Sequence, residues 1–291
     1  MPKLEKLEKV KTIIEQGDEL KEKGEIEESI KTYQKAARVD PNSDEALMKL
    51  AAVYEELENW EEVVNCYYKA VSLKAKSNKG YLKLAQALKK QERIGEAIAA
   101  YQRAIQGKEE SSFRVYKDLG DLLAQQNPQK EAIAAYEKAI ALKEELPAKF
   151  YASYAQLLQQ QKQIDQAINY WQKAIELSGE KVSWKLYQSL GNAQEKKGRL
   201  DEALANYKVA IKSSSDISKS GPKLYSSIGD ILVKQERFDD AIKCYQKVIE
   251  LKADLPQPYR KIGDILLKQD KKEEALQFYQ KAVSLSDTAA G

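Results

Sequence analysis

Residues 78–112 read NKGYLKLAQALKKQERIGEAIAAYQRAIQGKEESS, and this stretch decides the fold. Tyr81, Leu84, Ala85 and Leu88 recur at helical spacing, a polar break follows at Gln91-Glu92, and a second run carries Ala97, Tyr101 and Ala104. Small Ala85 and Ala97 stand opposite large Tyr81 and Tyr101, the pairing two closely packed helices require. The stretch is therefore a helical hairpin.

The same arrangement recurs along the chain. The small residue at the centre of each first helix falls at Gly17, Ala51, Ala85, Gly120, Ala155, Gly191, Gly229 and Gly263, spaced 34 to 38 residues apart. Eight units follow, with boundaries 10–43, 44–77, 78–112, 113–147, 148–183, 184–221, 222–255 and 256–289. Residues 1–9 are expected to extend the first helix, with Leu4 and Leu7 in register with Val10.

The second helix repeats as faithfully. A small residue opens its apolar face at Ala97, Ala132, Ala167, Ala203, Ala241 and Ala275, with Ser29 and Val63 in the first two units. Four residues on stands an aromatic: Tyr33, Tyr67, Tyr101, Tyr136, Trp171, Tyr207, Tyr245 or Tyr279. Acidic residues such as Glu27, Glu61 and Glu96 open these helices and lysines such as Lys35 and Lys69 sit later, as the helix dipole favours.

This pattern resembles the tetratricopeptide repeat, a helix–turn–helix of 34 residues. The resemblance implies an all-α, right-handed superhelical solenoid of eight repeats forming one array over 1–291. Two departures stand out. The family's closing proline is present only as Pro41, while Pro147, Pro222 and Pro256 open the following units. The tail of the sixth unit, residues 212–221 (KSSSDISKSG), is serine-rich and is expected to form an extended loop.

Composition narrows the function. Of 291 residues 32% are charged, yet 48 basic against 45 acidic residues leave a net charge of only +3. Any electrostatic message must therefore be local. No apolar run approaches the ~18 residues a membrane span needs, and the N-terminus lacks a signal-peptide core. Cys66 and Cys244 form no disulfide framework, which fits a reducing cytoplasm. With no histidine anywhere, neither cysteine has a neighbouring imidazole to activate it, and no phosphate-cradling glycine loop occurs. An enzyme and a bound cofactor or metal are therefore not expected.

What remains is binding. In the resembled family, the second, fifth and ninth positions of the first helices often meet a peptide in a concave groove. The second position here holds Lys79, Arg114, Lys149, Lys185 and Lys223 in five consecutive units, and Lys83 and Lys117 add to it near the middle. Stacked units would align these into a positive stripe suited to an extended or helical acidic segment of a protein partner. Asp18, Asp121, Asp230 and Asp264, at the ninth position, are expected to confine that potential to one edge of the groove. The asparagines of the family's chaperone-binding carboxylate clamp are missing, as is the asparagine ladder of its sugar-transferase branch. Nucleic acid is disfavoured because the core accounts for the aromatics.

The alternative is a recognition arm of a larger enzyme such as a transferase, with catalysis beyond residue 291. Consistent with a fragment, the last unit ends without a solvating helix over Leu276, Tyr279 and Val283, a face that self-association would also cover.

Overall fold

The computed structural model describes residues 3–74, 77–106, 112–126, 129–143, 145–180 and 182–288. Among these the chain is all-α. Its helices are α1 (Lys3–Glu22), α2 (Ile26–Val39), α3 (Asp44–Glu56), α4 (Trp60–Leu73), α5 (Asn78–Lys90), α6 (Ile94–Ile105), α7 (Phe113–Gln126), α8 (Gln129–Leu142), α9 (Ala148–Gln160), α10 (Ile164–Glu176), α11 (Trp184–Lys196), α12 (Leu200–Ser213), α13 (Ile217–Lys234), α14 (Phe238–Leu251), α15 (Pro256–Lys268) and α16 (Lys272–Thr288).

Residues 1–145 and 146–291 form two compact units, each carrying four hairpins. In every hairpin an odd-numbered helix packs on the even-numbered helix that follows it. Within each unit the second helix of one hairpin also packs on the first helix of the next, α2 on α3 and α10 on α11 for example. This is solenoid packing, in which neighbours in sequence are neighbours in space.

Local chemistry sets the boundaries. Ser43, Asn59 and Ser77 accept hydrogen bonds from the backbone N–H groups of Ala46, Glu62 and Gly80, capping α3, α4 and α5. The turn between the two helices of a hairpin holds one left-handed residue, at Gly24, Glu58, Glu92, Lys162, Gly198, Glu236 and Asp270. At each, the following N–H reaches back across the turn, as Arg93 N–H does to the Leu88 carbonyl at 3.0 Å. Five of these seven residues carry a side chain in a conformation that favours glycine.

The buried aromatics form the spine of the core, and a second regularity governs them. Where the centre of the first helix is Gly17, Gly191, Gly229 or Gly263, a Cβ there would lie 2.6–2.9 Å from the ring of Tyr33, Tyr207, Tyr245 or Tyr279. Each ring lies across bare backbone, and its hydroxyl donates to the next residue of that helix. Tyr33 reaches Asp18 at 2.5 Å, and Tyr207, Tyr245 and Tyr279 reach Asn192, Asp230 and Asp264 at 2.7 Å. Tyr136 makes the same bond to Asp121 over Gly120, where the clearance is a wider 3.4 Å.

Where alanine replaces the glycine, the polar atom goes elsewhere. Tyr67 donates to Glu55 at 2.9 Å, Tyr101 to Asp118 of the next hairpin at 3.2 Å, and the Trp171 indole N–H to Gln159 at 3.2 Å. Burial together with the adjoining carboxylates pushes the Tyr33, Tyr67, Tyr101 and Tyr245 hydroxyls well above the ordinary phenol range, and Tyr279 up to about 12.

Three expectations need correction. Residues 212–221 are not an extended loop: α12 runs to Ser213 and α13 begins at Ile217. The segment is helical because it packs. Gly221 sits so close to Leu251 that a Cβ would approach its Cδ1 to 2.6 Å, and Ile217 lies against the same glycine. Buried Ser220 bonds to the Ser214 hydroxyl at 2.7 Å and the Asp216 carbonyl at 3.1 Å. In consequence Pro222 does not open its unit but lies inside α13, where it offers no N–H to the Ser218 carbonyl. Finally, α1 does begin at Lys3, but Leu4 and Leu7 are 72% and 52% exposed and add nothing to the core.

The terminal helices differ in character. At the places where α3 buries Leu50 and Val53, α1 presents exposed Gln16 and Glu19. On α16, Leu276 and Val283 are exposed, whereas their counterparts on α4, Val64 and Val71, are buried. Residue 289, the last of the eighth unit, and residues 290–291 lie outside the described residues.

Candidate protein-binding face

The first helices place the predicted cations in two groups. Lys79 on α5, Arg114 on α7, Lys149 on α9, Lys185 on α11 and Lys223 on α13 are exposed at the second position of their hairpins and make no ion pair among the described residues. Lys79 and Arg114 belong to the first unit, and Lys149, Lys185 and Lys223 to the second.

Lys83 and Lys117 are different. Lys83 Nζ lies 3.2 Å from Glu55, linking α5 to α3, and Lys117 Nζ lies 2.7 Å from Asp121 and 3.5 Å from Asp118. Burial works against the Lys117 charge, yet these two carboxylates raise its pKa overall. Both lysines are therefore tied into the scaffold.

Lys83 belongs to a set of ion pairs joining successive first helices, whereas Lys117 is paired within α7 itself. Lys49 Nζ reaches Asp18 at 2.6 Å, Lys89 reaches Asp118 at 3.1 Å, Lys234 reaches Glu195 at 2.8 Å and Lys261 reaches Asp230 at 3.0 Å. Burial raises the Asp18 pKa, but the bonds from Lys49 and Tyr33 outweigh it and hold the carboxyl below its usual range. Because the side chains stay partly exposed, each pair contributes only ~0.2–1 kcal/mol. Their larger effect is on charge. The ninth-position carboxylates Asp18, Asp121 and Asp230 each meet a lysine as well as a tyrosine hydroxyl, so they are internally neutralised. Sequence reading assigned them to the edge of the groove and missed the tyrosine anchors. The signal was present as a Gly-Asp or Gly-Asn pair fifteen residues before the tyrosine.

Two recesses open beside the second-position cations. One, of about 470 Å³, lies between α3, the end of α4 and α5, and is lined by Asp44, Glu45, Met48, Lys74 and Lys79 among others. The other, of about 560 Å³, lies between α13, the end of α14 and α15. Among the described residues no group of three or more Asp, Glu or Cys is placed to hold a metal. The two thiols are buried or half-buried, and burial pushes Cys66 up to about 11. No described helix is long and apolar enough to cross a membrane.

Paired helices stacked in sequence order, with a small residue at each crossing and an aromatic beneath it, define a helical-repeat protein. The chain belongs to the tetratricopeptide-repeat family. Profiles described as TPR repeat match residues 17–58 and 229–270, and profiles described as tetratricopeptide repeat match 82–147, 155–217 and 257–288. No curated protein matches it in sequence.

Solved structures share the fold at low identity. The C-terminal part of a TPR repeat-containing protein from Cytophaga hutchinsonii is 16% identical with a TM-score of 0.63, over 86% of this chain and 99% of that one. MamA is 21% identical with a TM-score of 0.53, over 59% of this chain and 96% of that one. A chain of the Naa15/Naa10 structure bound to HypK-THB is 15% identical with a TM-score of 0.62; the match covers 89% of this chain but only 39% of that one. Folds of this kind are typical of protein–protein interaction.

Proposed function

We propose that the chain is a non-catalytic scaffold that binds an extended or helical acidic segment of a protein partner along its first helices. One observation carries the reading. The second-position cations Lys79, Arg114, Lys149, Lys185 and Lys223 are exposed and make no ion pair among the described residues, while Lys83 and Lys89 on α5, Lys117 on α7 and Lys234 on α13 are paired. A cation left unpaired beside lysines that are matched is available to a ligand. Lysine at a helix start also opposes the dipole slightly, so helix stability does not account for it. Lys83 acts here as a positioning residue between α5 and α3, and Lys117 is held on its own helix by Asp118 and Asp121. That the Naa15/Naa10 neighbour is solved with HypK-THB bound agrees with such a role.

The test is an immobilised library of acidic peptides probed with wild type and with a variant carrying glutamate at all five positions. Five reversals at ~0.5–1 kcal/mol each should weaken binding by about a hundredfold to a few thousandfold at low salt. Unchanged binding of the variant, with helix content intact, would refute the proposal.

A further inference from the structure

The two recesses occupy the same register of their hairpins, so their chemistry compares position by position. In the first unit Lys49, Lys74, Lys79 and Lys83 line the recess, but three of them are paired: Lys74 meets Asp44 at 3.2 Å, Lys49 meets Asp18 at 2.6 Å and Lys83 meets Glu55 at 3.2 Å, while Glu45 lines the wall with Lys79. In the second unit the residue at the place of Asp44 is Pro222, and the one at the place of Glu45 is Lys223. Lys252, the counterpart of Lys74, has therefore lost its carboxylate. A third cation, Lys219, joins them because α13 starts five residues ahead of Pro222 and brings Ser218 and Lys219 to the wall. No residue lining this recess is acidic. The one carboxylate near Lys219 is Asp216, 3.4 Å away and outside the lining, and that lysine side chain is 85% exposed. Ser226 and Ser227 add hydroxyls, while Pro222 and Leu255 supply apolar wall.

From this we infer that the recess between the seventh and eighth hairpins is a specificity pocket, seating an acidic side chain of the partner together with an adjacent apolar residue. The inference rests on the groove reading above and adds where along the first helices the acidic residue is fixed. Lys219, Lys223 and Lys252 take the carboxylate, the serine hydroxyls donate to its remaining lone pairs, and Leu255 and Pro222 cover the apolar neighbour. The matching recess of the first unit, with Lys74 already neutralised, does not take it.

The test uses the full chain and a short fluorescein-labelled peptide alternating aspartate with leucine, read by anisotropy. Lys219→Gln combined with Lys252→Gln leaves Lys223 in place and should weaken binding about tenfold, the scale of one well-made charged contact. Lys74→Gln should change it less than about twofold, since that lysine is already paired. The asparagine–leucine peptide should not bind. If the double variant binds as wild type while the five-position glutamate variant does not, the pocket is wrong and the groove stands. If wild type ignores the peptide altogether, both are wrong. Equal binding of the asparagine peptide, or lysine-dependent binding of an oligonucleotide in place of the peptide, would overturn the pocket as well.

Discussion

Replacing Gly229 by alanine should destabilise the second unit, although alanine is the better helix former. The new Cβ would stand 2.8 Å from Cε1 and Cζ of Tyr245. Carbon atoms in contact settle at ~3.5–4.0 Å, so the ring must withdraw by roughly 0.7 Å or more. It has nowhere easy to go. Tyr245 is fully buried, and its hydroxyl is fixed 2.7 Å from Asp230. Overpacking of this kind costs ~1–3 kcal/mol, and breaking a hydrogen bond to a charged acceptor adds ~1.5 kcal/mol if the ring swings out. Against this, alanine over glycine inside a helix contributes up to ~1 kcal/mol. The net expectation is a loss of ~1–3 kcal/mol.

Gly120 is the internal control. A Cβ there meets nothing nearer than 3.4 Å, so Gly120→Ala should be neutral or stabilising by up to ~1 kcal/mol. Urea unfolding followed by far-ultraviolet circular dichroism measures both. Because repeat arrays need not unfold in one step, hydrogen exchange of the α13 and α14 amides should accompany it. If Gly229→Ala proves as stable as Gly120→Ala, the account of glycine as the seat of the tyrosine ring is refuted.

Two further outcomes follow from the same geometry. Glu92→Gly should stabilise the first unit by up to ~1 kcal/mol in thermal unfolding, because Glu92 holds φ 57° in the hairpin turn at a cost glycine does not incur; the converse Gly198→Ala, at φ 80°, should destabilise by a similar amount. Alkaline titration should show Tyr33, Tyr67, Tyr101 and Tyr245 ionising only as the helices melt. Their folded pKa values lie above the unfolded value of ~10, so the stability they lend is complete below that pH. It is then lost by ~1.4 kcal/mol per tyrosine per pH unit as pH rises toward the folded values. Phenolate absorbance appearing well ahead of helix loss would contradict this.

The fold was legible because the repeat writes its packing into residue size. A small residue at Gly17 or Ala51 and an aromatic at Tyr33 or Tyr67 recur at fixed separation, and no other element explains both. The hydroxyl anchors were harder to read. A Gly-Asp or Gly-Asn pair marks five of them, as Gly191-Asn192 does for Tyr207, but that Tyr101 instead reaches Asp118 of the next hairpin depends on how the hairpins stack. Residues 212–221 misled for another reason: serine and glycine suggest a loop by composition, while Ile217 and Gly221 find Leu251 only in three dimensions. In the candidate site, the second-position cations were visible in the sequence. The i,i+4 spacing of Lys117 and Asp121 was there to be read as well, but the pairing of Lys83 was not, because Glu55 comes from a neighbouring hairpin.

The order of packing within each unit has a mechanical consequence. Each helix leans mainly on those before and after it in the chain, so the interfaces of a unit bear a stretching load in series rather than side by side. Tension along the chain is then not shared, and it concentrates at whichever junction is softest. A unit built in this way yields one hairpin at a time and, because its contacts are local, rewinds quickly when released. It behaves as a spring whose stiffness is set by single junctions such as that between Gly221 and Leu251.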